Sequence, residues 1–295
     1  MVADALPTFD LQSHSTESDG ELPPAEVVAR AAAAGVEILA LSDHDTVDGV
    51  DAALAAAQRH GITLVAATEL SALDETSEDL HVLGYGVDHG DPAFKARLVA
   101  FRADREARAD RMAAALEAQG FDLDRTAMER RRAAGLPIGR PHLAQAAFDH
   151  PGNAQRIREE QLADFGKLLE AYLIPGAPAY SRRTTPTVEE AIDAIHAAGG
   201  KAVWAHPFWD LEADATVLTT IDRFQQLGLD GVEAFYITHT REQTLLLAQA
   251  CDERGLLTTG SADFHGPSHP RFHAFRAFDL YERTPNLGPI VARTL

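Results

Sequence analysis

Short apolar runs alternate with Ala-rich helical stretches over both ends of this chain, and that rhythm restricts the fold more than any other feature. Strands are predicted at 9–11, 38–42, 62–69 and 80–85, with helices at 24–34 and 47–60 between the first three. Pro24 opens the first helix, Gly35 follows it, and Gly61 closes the second, which is the punctuation such helices need. The rhythm resumes with a helix at 188–198, ended by Gly199 and Gly200. A strand at 201–205 follows, then a helix within 215–227, a strand at 231–235, a helix at 241–254 and a strand at 256–261. Repeated strand–helix units require a mostly parallel sheet, either closed into a barrel or doubly wound.

Residues 91–180 break the pattern. The stretch 92–120 is long, charged and helical, and more helix is predicted at 143–148 and 156–173. We read 91–180 as a helical insertion, a lid or substrate domain, set into a domain made of 1–90 and 181–295. Arg102, Arg105, Arg108 and Arg111 recur at a spacing of three on one side of the long helix. The simplest account is a solvated face paired with Asp104, Glu106 and Asp110.

Composition removes several classes of function. The chain has 295 residues, 45% hydrophobic and 24% charged, which suits one large α/β domain or two ordinary ones and rules out a disordered or fibrous chain. No window approaches the ~18 apolar residues of a membrane span. Residues 1–10 lack the basic patch and apolar run of a secretory signal. Cys251 is the only cysteine, so a disulfide framework and a thiolate zinc cluster are excluded and a reducing cytoplasm is expected. With 26 Lys and Arg against 45 Asp and Glu, the net charge is −19, which argues against binding long nucleic acid. A small phosphorylated ligand remains open, because bound metal ions reverse the local sign.

Metal-ligating residue types recur just beyond predicted strands. His14 and Asp19-Gly20 follow the first strand, Asp43-His44-Asp45 the second, Glu69 ends the third, His206 follows 201–205, and Asp263 and His265 follow the last. In a barrel of parallel strands the carboxyl-end loops converge on one face, so these residues would meet there. His81 is the exception, because it stands near the start of its strand. Each residue alone has a plainer reading: a loop histidine, a helix cap at Asp43 or Asp45, an ion pair at Glu69. Five strand ends that all carry such residues are harder to explain that way. Imidazole with carboxylate suits Mn²⁺, Fe²⁺ or Zn²⁺, whereas Mg²⁺ prefers oxygen ligands. Two such ions ~3.5–4 Å apart hold a hydroxide and clamp a phosphoryl oxygen, the chemistry of phosphoester hydrolysis.

The run 10–15 (Asp-Leu-Gln-Ser-His-Ser) with Ser18-Asp19-Gly20 resembles the first motif of the PHP (polymerase and histidinol phosphatase) superfamily, and 41–46 (Leu-Ser-Asp-His-Asp-Thr) resembles its second. Glu69, 81–85 (His-Val-Leu-Gly-Tyr), Ala205-His206-Pro207 and 261–266 (Ser-Ala-Asp-Phe-His-Gly) resemble the rest. The likeness is to the branch of stand-alone phosphoesterases acting on nucleotide 3′,5′-bisphosphates and short RNA 5′ ends. That branch carries a Gly-Arg-Pro-His motif, here Gly139 to His142, in a helical insertion.

The resemblance implies an α/β fold, a distorted (β/α)7 barrel, with two or three divalent ions (Mn, Zn, Fe or Mg). It assigns Gln12, His14, Glu69 and Asp263 to a first ion, Glu69, His81 and His206 to a second, and Asp19, His44 and His265 to a third. Asp263 and Asp43 would be the catalytic carboxylates, Asp43 by orienting a ligand. Arg140 and His142 would grip a substrate phosphate; the plainer reading of that pair is a helix start with Pro141 in its first turn. This chain departs from the pattern twice: Gln12 replaces the first histidine of a His-x-His pair, and Ala177 stands where the branch often has Lys. A neutral amide is a weaker donor than imidazole, so Gln12→His should raise metal retention.

His239 either lines the substrate pocket or belongs to the start of the helix that follows. Phe208 and Trp209 offer either a stacking face for a base or rim packing. Three functions are carried forward. The first is a metal-dependent phosphoesterase of small nucleotides, using a metal-bound hydroxide. The second is an amidohydrolase-like C–N hydrolase. The third is a metal- or nucleotide-binding protein impaired by Gln12.

Overall fold

A computed structural model describes residues 6–75, 77, 80–133 and 138–291. The chain folds as two compact units, one of Met1–Val99 with Pro186–Leu295 and one of Ala100–Thr185.

The first unit is a seven-stranded barrel. Its strands, β1 (Phe9–Asp10), β2 (Ile38–Leu41), β3 (Thr63–Ala72), β4 (Leu80–Tyr85), β5 (Lys201–Trp204), β6 (Gly231–Tyr236) and β7 (Leu257–Ser261), are hydrogen-bonded in sequence order. The ring closes where the Leu11 amide donates to the Gly260 carbonyl at 3.1 Å and His14 N donates to Phe264 O at 2.8 Å. Helices α1 (Pro24–Ala33), α2 (Val50–His60), α8 (Val188–Ala197), the single turn α9 (Pro207–Asp210), α10 (Asp214–Gln226) and α11 (Arg241–Arg254) accompany the strands. Each longer helix turns an apolar stripe inward. In α1 that stripe is Val27, Val28 and Ala31, which share a core with Leu39 and Leu41 of β2.

Two strand features differ from expectation. β4 runs antiparallel to both β3 and β5. Its amino end therefore lies at the carboxyl-end face of its neighbours, which carries His81 to the face where the other strand-end residues gather. β3 does not stop at Glu69 but continues to Ala72, because β4 supplies hydrogen-bonding partners from Ala67 to Ala72. Glu69 still stands at the rim relative to shorter β2: its amide donates to Asp43 O, its carbonyl accepts from Asp45 N, and it bridges His44.

α2 begins at Val50 rather than at 47. Asp45 adopts a left-handed backbone (φ 54°) and its carboxylate accepts the Ser71 amide of β3 at 3.0 Å, so it ties the loop to the barrel and does not cap a helix. Gly49 is the residue before the helix.

The second unit contains most of α3 (Pro92–Ala118), together with α4 (Arg125–Ala133), α5 (Arg140–Phe148), α6 (Ala154–Glu159) and α7 (Phe165–Tyr172). The helix expected at 156–173 is two helices. Gln161 turns left-handed (φ 56°), and Asp164 restarts the chain by accepting the Lys167 amide at 2.9 Å. Met112, Leu116, Phe121, Leu143 and Leu168 belong to this unit's own core.

The arginine row of α3 is not the solvated, acid-paired face that was expected. Arg108 is buried and its Nε donates to the Ser181 carbonyl at 2.8 Å, while Arg111 Nε donates to Ser181 Oγ at 3.0 Å. Glu106 and Asp110 pair instead with Arg132 of α4, and Asp104 accepts from Thr184. Spacing along one helix does not disclose a partner that returns some 70 residues later.

Candidate metal centre

Glu69 is the hub. Its carboxylate, 1% exposed, lies 3.1 Å from His14 Nε2, 3.6 Å from His44 Nδ1, 2.7 Å from His81 Nδ1 and 3.1 Å from His206 Nε2. Four imidazoles from four separate segments thus converge on one carboxylate. His14 Nε2 is also 3.1 Å from Asp263 Oδ1. Farther out, Asp19 lies 3.6 Å from His14, His44 and His265. Three groups each bring one ligand atom per residue within 4.8 Å of the others: His14, Asp19, His44 and His265; His44, Glu69 and His81; and His14, Glu69 and Asp263.

The local backbone explains why these side chains face one point. His206 (φ 30°) and Asp263 (φ 53°) both occupy the left-handed region, where non-glycine residues are uncommon. Both sit just past a strand, where the turn swings the side chain over the barrel mouth. The Glu233 carboxylate receives the His206 amide at 2.9 Å and so holds that turn. The first loop needs glycine at position 20: a Cβ there would lie 2.4 Å from the His14 carbonyl oxygen. Asp43 serves this loop. It accepts from the Ser15 amide and the Ser18 hydroxyl on Oδ1 and from the Ser15 hydroxyl on Oδ2, all at 2.7–2.8 Å, and so pins the loop between His14 and Asp19.

Gln12, which the resemblance assigns to the first ion, lies directly beside Glu69. Its amide nitrogen donates to Glu69 Oε2 at 2.8 Å, and its oxygen faces Ser261 Oγ at 3.3 Å.

The donor set fits divalent cations. His14 Nε2, His44 Nδ1 and Asp263 Oδ1 face the cluster and are buried without a hydrogen-bond partner, unsatisfied atoms that a cation at this point would satisfy. His265 Nδ1 donates to the Asp263 carbonyl at 2.7 Å, which leaves its Nε2 lone pair facing Asp19.

Electrostatics follow from burial set against neighbours. Burial alone would raise the Glu69 pKa, but the surrounding imidazoles hold it well below the usual carboxylate range. Burial opposes charge on His206, yet Glu69 raises it to about 9. Glu233, with no such ring of imidazoles, is pushed up to about 8 by burial.

Two residues of β6 escaped sequence reasoning. Tyr236 donates its hydroxyl to Asp263 Oδ2 at 2.8 Å, and Glu233 holds His206 and Ser261. A β-bulge between Glu233 and Phe235 shifts the register at this point. The available signal was an acid inside an otherwise apolar, fully buried strand.

His239 follows β6 in the same unit and is 7% exposed. Its Nδ1 donates to the Ala234 carbonyl at 3.2 Å, its Nε2 is buried without a partner, and burial lowers its pKa to about 4. Thr240, the next residue, caps α11, accepting from Gln243 N at 3.2 Å. Arg140 and His142 lie in the second unit, at the start of α5. There the Gly139 amide donates to His142 Nδ1 at 3.0 Å. That bond makes Nδ1 an acceptor and leaves Nε2–H as the free donor of a neutral ring.

A barrel with clustered imidazoles and carboxylates at one mouth defines a class of metal-centred protein. The family model described as PHP domain matches residues 10–134. A 3′,5′-nucleoside bisphosphate phosphatase of Chromobacterium violaceum is 34% identical over 89% of this chain and 88% of its own length. A 5′-3′ exoribonuclease of Haemophilus influenzae is 34% identical over 88% of this chain and 90% of its own. Among solved structures, one from Chromobacterium violaceum described as an amidohydrolase with bound sulfate has a TM-score of 0.72 at 32% identity, covering 91% of each chain. Another, from Bifidobacterium adolescentis and assigned as a metal-dependent phosphoesterase, has a TM-score of 0.70 at 28% identity, covering 97% of this chain and 95% of that one. The chain belongs to the PHP family. Among the described residues no helix is long and apolar enough to cross a membrane.

Proposed function

We propose that this protein hydrolyses phosphate esters of small nucleotides, nucleoside 3′,5′-bisphosphates or short RNA 5′ ends, at a centre of two or three divalent ions. The observation that carries the reading is the convergence of His14, His44, His81 and His206 on the single buried carboxylate of Glu69. His14, Glu69 and Asp263 would hold one ion, Glu69, His81 and His206 a second, and Asp19, His44 and His265 a third. Glu69 would be shared between the first two. When bound, such ions activate water as a nucleophile and neutralise charge on the phosphoryl oxygens.

The chain's own residues do the rest. Asp43 fixes the loop that aims His14 and Asp19. Tyr236 sets the orientation of the Asp263 carboxylate. His239, neutral and with Nε2 unpartnered, offers an acceptor to a substrate hydroxyl. Arg140 supplies a guanidinium fork for a phosphate, and His142 adds its Nε2–H. On this reading the helical insertion 91–180 is the substrate-gripping part, and the barrel of 1–90 with 181–295 is the metal-holding part. Mn²⁺, Zn²⁺ and Fe²⁺ suit the mixed nitrogen and oxygen donors better than Mg²⁺ does. The single buried cysteine suits a cytoplasmic setting, and the charge of −19 suits mononucleotides rather than long RNA.

Assays of adenosine 3′,5′-bisphosphate with each metal, on the native protein and on Arg140→Ala, test this. Metal-dependent phosphate release that falls at least about 100-fold in kcat/KM in the variant is expected, since a bidentate charged contact contributes roughly 3 kcal/mol or more. Turnover of amides with no phosphate release would support the C–N hydrolase reading in its place.

A further inference from the structure

Near the clustered imidazoles a large aromatic side chain, Trp209, faces solvent. Trp209 is 51% exposed, while Trp204, the only other tryptophan, is wholly buried. Trp209 sits in α9, three residues past His206, with its amide bound to the His206 carbonyl at 2.8 Å. Its indole centroid lies 6.3 Å from the His206 ring and 5.9 Å from Phe272. Phe272 in turn lies 5.4 Å from His265, so an aromatic wall runs from one side of the cluster to the other. The guanidinium of exposed Arg271 lies 5.5 Å from the indole centroid.

We infer that Trp209, flanked by Arg271, is the platform on which the nucleobase stacks, and that it selects nucleotides over base-free phosphate esters. This rests on the phosphoesterase reading, and it adds a recognition element for the part of the substrate that takes no part in the reaction. Three observations favour a base. Exposed indole is a surface that every base can cover with a π-face, independently of sequence. The platform lies about one ring beyond His206, so a phosphate held at the cluster leaves its sugar and base to extend over it. Arg271 adds a planar cation, in a strongly acidic protein, that stacks on a base or meets a second phosphate.

The test uses the Mn²⁺-loaded full chain with adenosine 3′,5′-bisphosphate and ribose 5-phosphate as probes. Trp209→Ala is expected to lower the ratio of kcat/KM for the nucleotide over the sugar phosphate roughly ten- to hundredfold, mostly through KM, and Trp209→Phe is expected to restore most of it. Indole fluorescence should be quenched by the nucleotide and not by ribose 5-phosphate, and Trp209→Phe should abolish the response. An unchanged ratio, or an equal loss on both substrates, would mean that Trp209 only supports His206 and would overturn the inference. Should the native protein hydrolyse neither compound, the phosphoesterase reading fails separately, and the fluorescence titration still decides whether the base stacks: quenching by the nucleotide alone supports the platform, and no quenching refutes it.

Discussion

Gln12 donates its amide N–H to Glu69 Oε2 at 2.8 Å, at the position where the motif it resembles has the first histidine of a His-x-His pair. An imidazole there would offer a lone pair to a cation, whereas the amide N–H donates a hydrogen bond to the carboxylate that four histidines surround. Glu69 thereby gains a neutral partner that keeps one of its carboxylate oxygens in place.

Replacing Gln12 by His exchanges that donor for a ligand. Gln12→His should tighten Mn²⁺ binding by at least about tenfold, the scale of even an indirect contact to a metal ligand. Calorimetric titration of the chelator-treated proteins, with metal content measured after gel filtration, checks this. Equal affinity in the two proteins would mean that Gln12 already coordinates through its oxygen.

Tyr236→Phe removes the hydroxyl bonded to Asp263 Oδ2 and leaves the packing of the ring intact. The lost bond should cost about 1 kcal/mol of stability. It should also weaken metal binding about 10- to 100-fold, because Asp263 loses the partner that orients it. Unfolding in urea and metal titration separate the two effects.

His239 makes stability depend on pH in a stated direction. Its pKa falls from 6.5 in the unfolded chain to about 4 in the buried site. Below pH 6.5 the unfolded chain takes up a proton that the folded chain refuses, so stability declines as pH falls and levels off near pH 4. The full effect is about 3 kcal/mol, of which roughly 2 kcal/mol is lost between pH 7.5 and 5. His239→Gln should show a smaller loss over the same range. An identical pH dependence in urea unfolding of the two proteins would contradict the buried, neutral imidazole.

Much of this architecture was legible in the sequence, because a strand–helix rhythm requires a mostly parallel sheet, the family resemblance implies its closure into a barrel, and a barrel gathers its strand-end residues. His14, His44, His206, Asp263 and His265 could be placed that way. His81 could not, since the rule assumes parallel strands and β4 is antiparallel. Glu233 and Tyr236 were passed over because they stand inside a strand that reads as core, and no periodicity reveals a bulge. Gln12 was identified as a departure from the family pattern, but the direction of its amide depends on Glu69 and Ser261, each distant in sequence. Arg108 and Arg111 show the same limit, as their partners lie at 181–182.

On the proposed reading, Glu69 and its ring of imidazoles hold at least two divalent ions. Anomalous diffraction from crystals grown in MnCl₂ tests it most directly. Two or three manganese peaks within ~3.5–4 Å of their neighbours, with Glu69 between two of them, are predicted. A map with no peak among His14, His44, Glu69, His81, His206, Asp263 and His265 would contradict it.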